Sequence, residues 1–282
     1  MIDIGKINPL RVAEELPFGF HLTTGDDNDP LVLLSHEKAA NLDQPVKPGD
    51  ELSVFVGLDE TGNLEAWPNA PIANVGDTVV LKAVGATHFG GFFDWGADRD
   101  LLVPSGMQET PVNEGMHYVV HIYIDESTNR ILGATKLHRF LKESAPYLKA
   151  GDAINCIVYG KTELGFKVVI EKQYLGLIFH SDAYKKLRIG QEFEAFVKTV
   201  REDGKIDVAL QRTDKAGRKT LEEAILDDLE AHGGVSTLTD KSKPEEIYSH
   251  FNVSKAAYKK ALGALYKQRR ISIDKTAIRL NK

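Results

Sequence analysis

Apolar and polar positions along the chain alternate in short runs, and the runs come in sets. An apolar segment ending in serine occurs three times, at Leu31 to Ser35, Leu101 to Ser105 and Leu177 to Ser181. Each is followed by a loop to a glycine (Gly49, Gly115, Gly190) and then by an alternating segment: Glu51 to Gly57, His117 to Ile124, Glu192 to Val200. A polar turn comes next, at Asp59 to Asn63, Asp125 to Arg130 and Glu202 to Gly204, and a last short apolar run opens at Leu64, Ile131 and Ile206. Upstream of each serine a glycine sits beside an aromatic ring, in Phe18-Gly19-Phe20, Phe89-Gly90-Gly91-Phe92 and Gly165-Phe166. Period-two runs bounded by turn residues predict strands, and a set of such strands repeated three times predicts three small all-β units, each a barrel or a sandwich. In the third, Phe193, Ala195 and Val197 alternate with Glu192, Glu194 and Lys198, so one face is core and one is wet, with Phe196 an aromatic on the wet side.

After Arg212 the period lengthens. Thr220-Leu221-Glu222-Glu223 has the form of a capping box, and Leu221, Ala224, Ile225 and Leu229 fall on one helical face. Gly233-Gly234 stops that helix. Pro244 opens a second helix through Phe251, Ser254 caps a third reaching about Gln268, and Ile271 to Leu280 alternates around Asp274-Lys275 as a hairpin. Helix, short strand, helix, turn, helix, hairpin is the layout of a winged helix. The fold class expected is mainly β with a C-terminal α+β module. Residues 1–68, 69–140 and 146–212 form three tandem five-stranded barrels, and residues 217–282 form a winged helix-turn-helix.

Composition changes this picture little, and the distribution of charge changes it a great deal. The chain has 282 residues, 42% hydrophobic and 27% charged, with a formal net charge of −6. Residues 1–68 hold 4 basic against 13 acidic side chains, a net of −9, and residues 69–140 hold 5 against 8, a net of −3. Residues 141–212 carry 12 against 10 and residues 213–282 carry 14 against 10, nets of +2 and +4. Phosphate neutralisation supplies most non-specific nucleic-acid affinity. The acidic head is therefore a poor partner for a polyanion and the basic tail a good one. The single cysteine, Cys156, sits in an apolar segment, which excludes an intrachain disulfide and fits a reducing compartment. With neither a signal peptide nor a long apolar run, a cytoplasmic protein without a membrane partner is expected.

The repeats resemble the RNA-binding domain first described in ribosomal protein S-one, an oligonucleotide-binding (OB) barrel. The order of three such barrels and a winged helix resembles the conserved virulence factor B family over essentially the whole chain. The resemblance implies RNA-stacking aromatics on the second and third strands, with an Asp and an Arg near the turn before the fifth. Phe89, Phe92, Asp125 and Arg130 stand at those positions in the second repeat, with Val103 where a His is usual. In the third, Leu164 and Lys167 replace the two aromatics with Phe166 between them, Phe179 takes the His position beside His180, and Arg201 and Lys205 replace Asp and Arg. The first has Phe18, His21 and Asp59, but Asn63 in place of Arg.

The candidate RNA-binding residues are Lys161, Phe166, Lys167, Tyr174, Phe179, His180, Lys198, Arg201 and Lys205 in the third barrel. In the winged helix they are Lys255, Lys259, Lys260, Lys267, Arg269, Arg270 and Lys275. Phe89, Phe92 and Arg130 form a weaker set. Around Gly263, lysines dominate the polar side of the third helix, which favours backbone contact over base readout. The function expected is sequence-tolerant binding of single-stranded RNA in post-transcriptional regulation. One alternative is an adaptor whose acidic half docks a basic protein of the translation machinery, and another is a duplex-DNA regulator acting through the winged helix. No nucleophile, phosphate-binding loop or metal-ligand spacing is found, so neither an enzyme nor a cofactor or metal is expected. The run Asp26-Asp27-Asn28-Asp29 lacks the ligand and glycine that a calcium loop needs at its fifth and sixth places, where Pro30 and Leu31 stand.

Overall fold

A computed structural model describes the chain except for residues 60, 98, 184, 212–214, 252, 275 and 282 and the side chains of residues 215–220. Two compact units divide it, Met1–Phe140 and Leu141–Lys282.

The first unit begins with strands β1 (Ile7–Leu16), β2 (Gly19–Thr23) and β3 (Val32–Ser35). A short helix α1 (His36–Ala39) precedes β4 (Glu51–Leu58) and β5 (Leu64–Trp67). They close as a barrel in the order β1-β2-β3-β5-β4, shut by the parallel pairing of Leu33 with Glu65. The second set is β6 (Thr78–Ala86), β7 (Gly90–Asp94), β8 (Leu101–Pro104), β9 (His117–Ile124) and β10 (Ile131–Ala134). It has the same strand neighbours, in the order β10-β9-β6-β7-β8, but among the described residues no ladder joins β8 to β10. Phe55 and Trp67 of the first barrel belong to the core that holds Phe93, Trp95 and Leu101 of the second. Phe55 stacks on Trp67 at 5.3 Å and meets Trp95 edge-on at 5.8 Å. The Ile72 N–H donates to the Trp95 carbonyl at 2.8 Å and the Val75 N–H to Gly5 at 2.9 Å. The two barrels of this unit thus share one apolar seam.

The second unit opens with β11 (Ala153–Lys161), β12 (Gly165–Ile170), β13 (Tyr174–Phe179), β14 (Glu192–Val200) and β15 (Ile206–Ala209), again a closed barrel. Its closing pairs are Gly176 with Ile206 and Leu177 with Asp207. Cys156 is 1% exposed in its core, and burial pushes the thiol up to about 12. The glycine that recurs beside an aromatic has a steric cause. A Cβ on Gly19, Gly90 or Gly165 would collide with the carbonyl oxygen of Leu34, Val103 or Ile178 on the facing third strand. Each barrel also carries a register shift at the same place on its first strand, at Val12/Glu14, Ala83/Gly85 and Val158/Gly160. Such a bulge bends the strand and increases its twist, which barrel closure needs.

The winged helix consists of α2 (Lys215–Ala231), β16 (Val235–Ser236), α3 (Pro244–Phe251), α4 (Lys255–Lys267), β17 (Ile271–Ile273) and β18 (Ile278–Leu280), with sheet order β16-β18-β17. Helix α2 begins at Lys215, so Thr220 lies inside it and does not cap it; the Thr220 side chain is outside the described residues. Ala224 is exposed and Leu226 is buried, because the apolar face centres between Leu221, Ile225 and Leu229 on the side away from Ala224. Gly233 and Gly234 take φ of 72° and 83°, and the Gly234 N–H returns to the Leu229 carbonyl, ending the helix as expected. Ser254 caps α4 by accepting the Ala257 N–H at 3.1 Å. Tyr258, Ala261, Leu262 and Leu265 form its buried face. The Ser254 N–H donates to Gln211 Oε1 at 3.0 Å, joining the winged helix to the end of the third barrel.

Candidate nucleic-acid interface

The shared bulge makes the three barrels comparable position by position. Just past it, the central second-strand residue on the outer face is His21 in the first barrel, Phe92 in the second and Lys167 in the third. Each lies opposite a leucine on the third strand: Leu33, Leu102 and Leu177. The next place across the closing seam belongs to Glu65 in the first barrel and Asp207 in the third.

In the third barrel this face joins cations to rings. The Lys167 Nζ sits over the Tyr159 ring at 5.7 Å. The Arg201 guanidinium and the Lys198 ammonium lie over Phe179 at 5.5 and 6.0 Å. Both are tethered. Arg201 donates twice to Asp207, at 3.0 and 2.7 Å, which raises its already high pKa, and Lys198 reaches Asp182 at 2.7 Å. The tethers remove net charge but hold a planar cation against an aromatic face, a platform on which bases stack. Lys161 and His180 are exposed near the β11–β12 loop, His180 bonding the Thr162 carbonyl at 3.2 Å, and Lys205 is exposed with Asp203 3.9 Å away.

One expected contact is corrected, and a second is half-buried. Tyr174 is 6% exposed within the core and has no free face for a base. Phe166 packs against the same core with Val168 and Ile170, because the alternation of β12 turns even-numbered residues inward and sends Lys167 outward. Its outer edge meets His180 at 5.3 Å. Sequence reasoning missed Tyr159, which the Val158/Gly160 bulge brings beside Lys167; Leu164, at one of the aromatic positions, is 65% exposed at the loop. The bulge leaves no mark in the hydrophobic pattern except the glycine.

The second barrel carries rings with little charge. Phe89 is 49% exposed and meets Phe92 edge-on at 5.8 Å and His88 edge-on at 5.2 Å. Val103 is fully buried, and Arg130 is exposed. The Asp125 carboxyl is held below its usual range by the hydroxyls of Thr128 and Ser127. In the first barrel His21 is engaged by Glu14 at 3.0 Å, and Lys38 pairs with Glu65 at 2.8 Å.

On the winged helix Lys259, Lys260, Lys267, Arg269 and Arg270 are exposed and Lys255 is half-buried, while Lys275 lies outside the described residues. Lys259 is 4.0 Å from Asp240. Nothing stands within 4 Å of a Cβ built on Gly263, so the middle of the exposed face of α4 is open to close approach. Tyr266, 57% exposed, adds a ring beside it. Arg269 adopts φ of 57°, a left-handed conformation that costs a non-glycine residue about 1–2 kcal/mol, and its carbonyl accepts from Asn281.

Known proteins match both kinds of domain. Residues 223–280 match the model of the CvfB-like winged helix domain, and residues 4–66 match the S1 domain. Conserved virulence factor B of Staphylococcus epidermidis is 27% identical over 292 residues, covering 99% of this chain and 95% of that protein. The resemblance to the conserved virulence factor B family holds over nearly the whole chain. The Staphylococcus aureus protein of that name is 25% identical over 293 residues, again with 99% of this chain covered and 94% of the other. An uncharacterised Bacillus subtilis protein, YitL, is 26% identical over 280 residues, 95% of this chain and 90% of its own. A crystal structure of a multidomain protein with nucleic acid binding domains from Streptococcus pneumoniae aligns over 99% of this chain and 98% of that one, at 23% identity and a TM-score of 0.42. An S1 domain with a winged helix suggests nucleic acid binding, and these matches are not to a known enzyme family. The S1 match falls on the first barrel, where charge suits a polyanion least. Among the described residues no cluster of three His, Cys, Asp or Glu side chains could hold a metal, and no helix is long and apolar enough to cross a membrane.

Proposed function

We propose that this protein binds single-stranded RNA with little sequence preference, through the third barrel and the winged helix together. The observation that carries the reading is the cation-on-ring cluster of the third barrel, with Lys167 over Tyr159 and Arg201 and Lys198 over Phe179. Aromatic and guanidinium planes stack on any base, at about 1–3 kcal/mol per base, while lysines follow the backbone. The exposed lysines of α4 add a second site on the same unit, and two weak sites on one chain gain affinity through effective concentration. Sequence-tolerant binding of single-stranded RNA fits a role in post-transcriptional regulation of gene expression in the cytoplasm. A second reading, a duplex-DNA regulator, draws on the open face of α4, since winged helices place this helix in the major groove.

Fluorescence anisotropy with single-stranded RNA and duplex DNA across salt separates the two. The RNA reading expects tighter binding to the single strand with a steep salt slope. Preference for the duplex moves the function to α4 alone, and binding to neither leaves a protein-docking adaptor.

A further inference from the structure

The net of −3 over residues 69–140 hides a basic corner. Residues 127–140 carry Arg130, Lys136 and Arg139 and no acidic side chain. After β10 the chain makes one turn of 3-10 helix, Leu137–Arg139, beside a similar turn, Ser105–Met107, that follows β8. The Thr135 and Lys136 N–H groups both donate to the Met107 carbonyl at 3.0 Å. Leu137 is buried, and Phe140 lies against His121 at 4.8 Å and Tyr123 at 4.7 Å. These contacts fix the backbone of the corner before any ligand arrives.

Side chains three residues apart eclipse in a 3-10 turn, so Lys136 and Arg139 project to the same side. The Lys136 Nζ donates to the Gly106 carbonyl at 2.9 Å, and the Arg139 Nη1 meets the Met107 Sδ at 3.1 Å. The two cations therefore land on neighbouring residues of one turn, and both partners are uncharged. Among the described residues neither cation forms an ion pair, and Glu109 faces His138, 3.8 Å away. The third barrel does the opposite, since Asp207 and Asp182 take up the charges of Arg201 and Lys198. At this corner position is fixed and charge is left over. A thioether is a weak acceptor, and an ammonium bonded once keeps two donors, so both groups can turn to an anion at little loss.

The surroundings favour a nucleic acid as that anion. Nothing stands within 4 Å of a Cβ built on Gly106, so the turn is open to close approach. The Ser105 N–H donates to the Phe89 carbonyl at 2.8 Å, which sets the backbone of Phe89, whose ring is exposed, beside the same turn. Burial and then Asp125 raise the Tyr123 hydroxyl, and Arg139 opposes them, while the Asp125 carboxylate is engaged by the Ser127 and Thr128 hydroxyls.

We propose that Lys136 and Arg139 together hold one backbone phosphate of single-stranded RNA, giving the acidic unit a strand contact of its own. A phosphodiester offers two unesterified oxygens, which suit a guanidinium and an ammonium side by side. An exposed ring near the phosphate gives a flanking base a surface to rest on, which an acidic peptide does not need. The proposal rests on the RNA reading above and extends it to the other unit.

The full chain is titrated by anisotropy across salt with oligouridine of about thirty nucleotides, long enough to touch both units, and of about six, which reaches one barrel at a time. Lys136→Gln with Arg139→Gln, at side chains outside the core, should weaken the longer strand about fivefold and lower its salt slope by about 0.7, the share of one phosphate on a single strand. The shorter strand, held by the third barrel, should change less than about twofold. Exchange of the two cations, Lys136→Arg with Arg139→Lys, should restore both the affinity and the slope. An unchanged slope for the longer strand, or equal weakening of both lengths, overturns the proposal and leaves RNA binding by the other unit standing. Binding of labelled oligoglutamate as tight as that of the longer strand, lost in the Gln variant, would make the corner a protein-docking surface and overturn it too. Failure of the wild type to bind any RNA removes both readings together.

Discussion

Where the second barrel sets Phe92 opposite Leu102, the third sets Lys167 opposite Leu177, on the same strands and after the same bulge. The second barrel keeps the exposed ring of Phe89 and the half-buried ring of Phe92 in a segment of net −3, and the third keeps cations over Tyr159 and Phe179 in a segment of net +2. One scaffold therefore carries two divisions of labour. A barrel rich in rings can grip a base that is already near, and a barrel rich in cations can draw the strand in, because stacking acts at contact whereas charge acts over about a Debye length, roughly 8–10 Å at physiological salt.

This contrast can be broken at several points. The largest effect is expected from Lys259→Glu with Lys260→Glu on α4, which should lower RNA affinity by about tenfold or more at low salt and flatten the salt slope by about one unit. Anisotropy at several salt concentrations reads both quantities, and an unchanged slope would remove the winged helix from the interface. Next, Lys198→Glu with Lys205→Glu in the third barrel should weaken RNA binding more than Phe89→Ala does in the second; the reverse order would move the main site to the second barrel. Phe179→Ala should cost about fivefold, near the lower end of one stacked base, with the salt slope preserved. A changed slope would show that the ring serves only to position Arg201 and Lys198. The smallest effect belongs to Asp207→Asn, which loosens the Arg201 fork and removes a negative charge from the face. RNA affinity should rise about twofold, and a fall would mean that the fixed orientation of the guanidinium matters more than its charge.

Strand edges were the most legible feature of this chain. Glu192–Val200 and His117–Ile124 are strands over the residues that their alternation marks, because a half-wet sheet forces period two. The α4 face of Tyr258, Ala261, Leu262 and Leu265 was legible for the same reason at period 3.6. The start of α2 was not, since a capping box also reads well inside a helix that begins at Lys215, more than a turn earlier. Site residues were harder. Phe166 and Lys167 are neighbours of opposite facing, and a residue count cannot tell which one turns outward once a bulge intervenes.

The sequence by itself determined the repeat, the two periodicities and the gradient from acid to base, because each is a property of local order or of simple charge. Only the tertiary structure decided which rings face solvent, which cations are tethered to Asp182 and Asp207, and that among the described residues the β8–β10 seam lacks the ladder found in its counterparts. Those outcomes depend on strand register and on contacts between residues far apart in the chain, where a shift of one position exchanges core for surface.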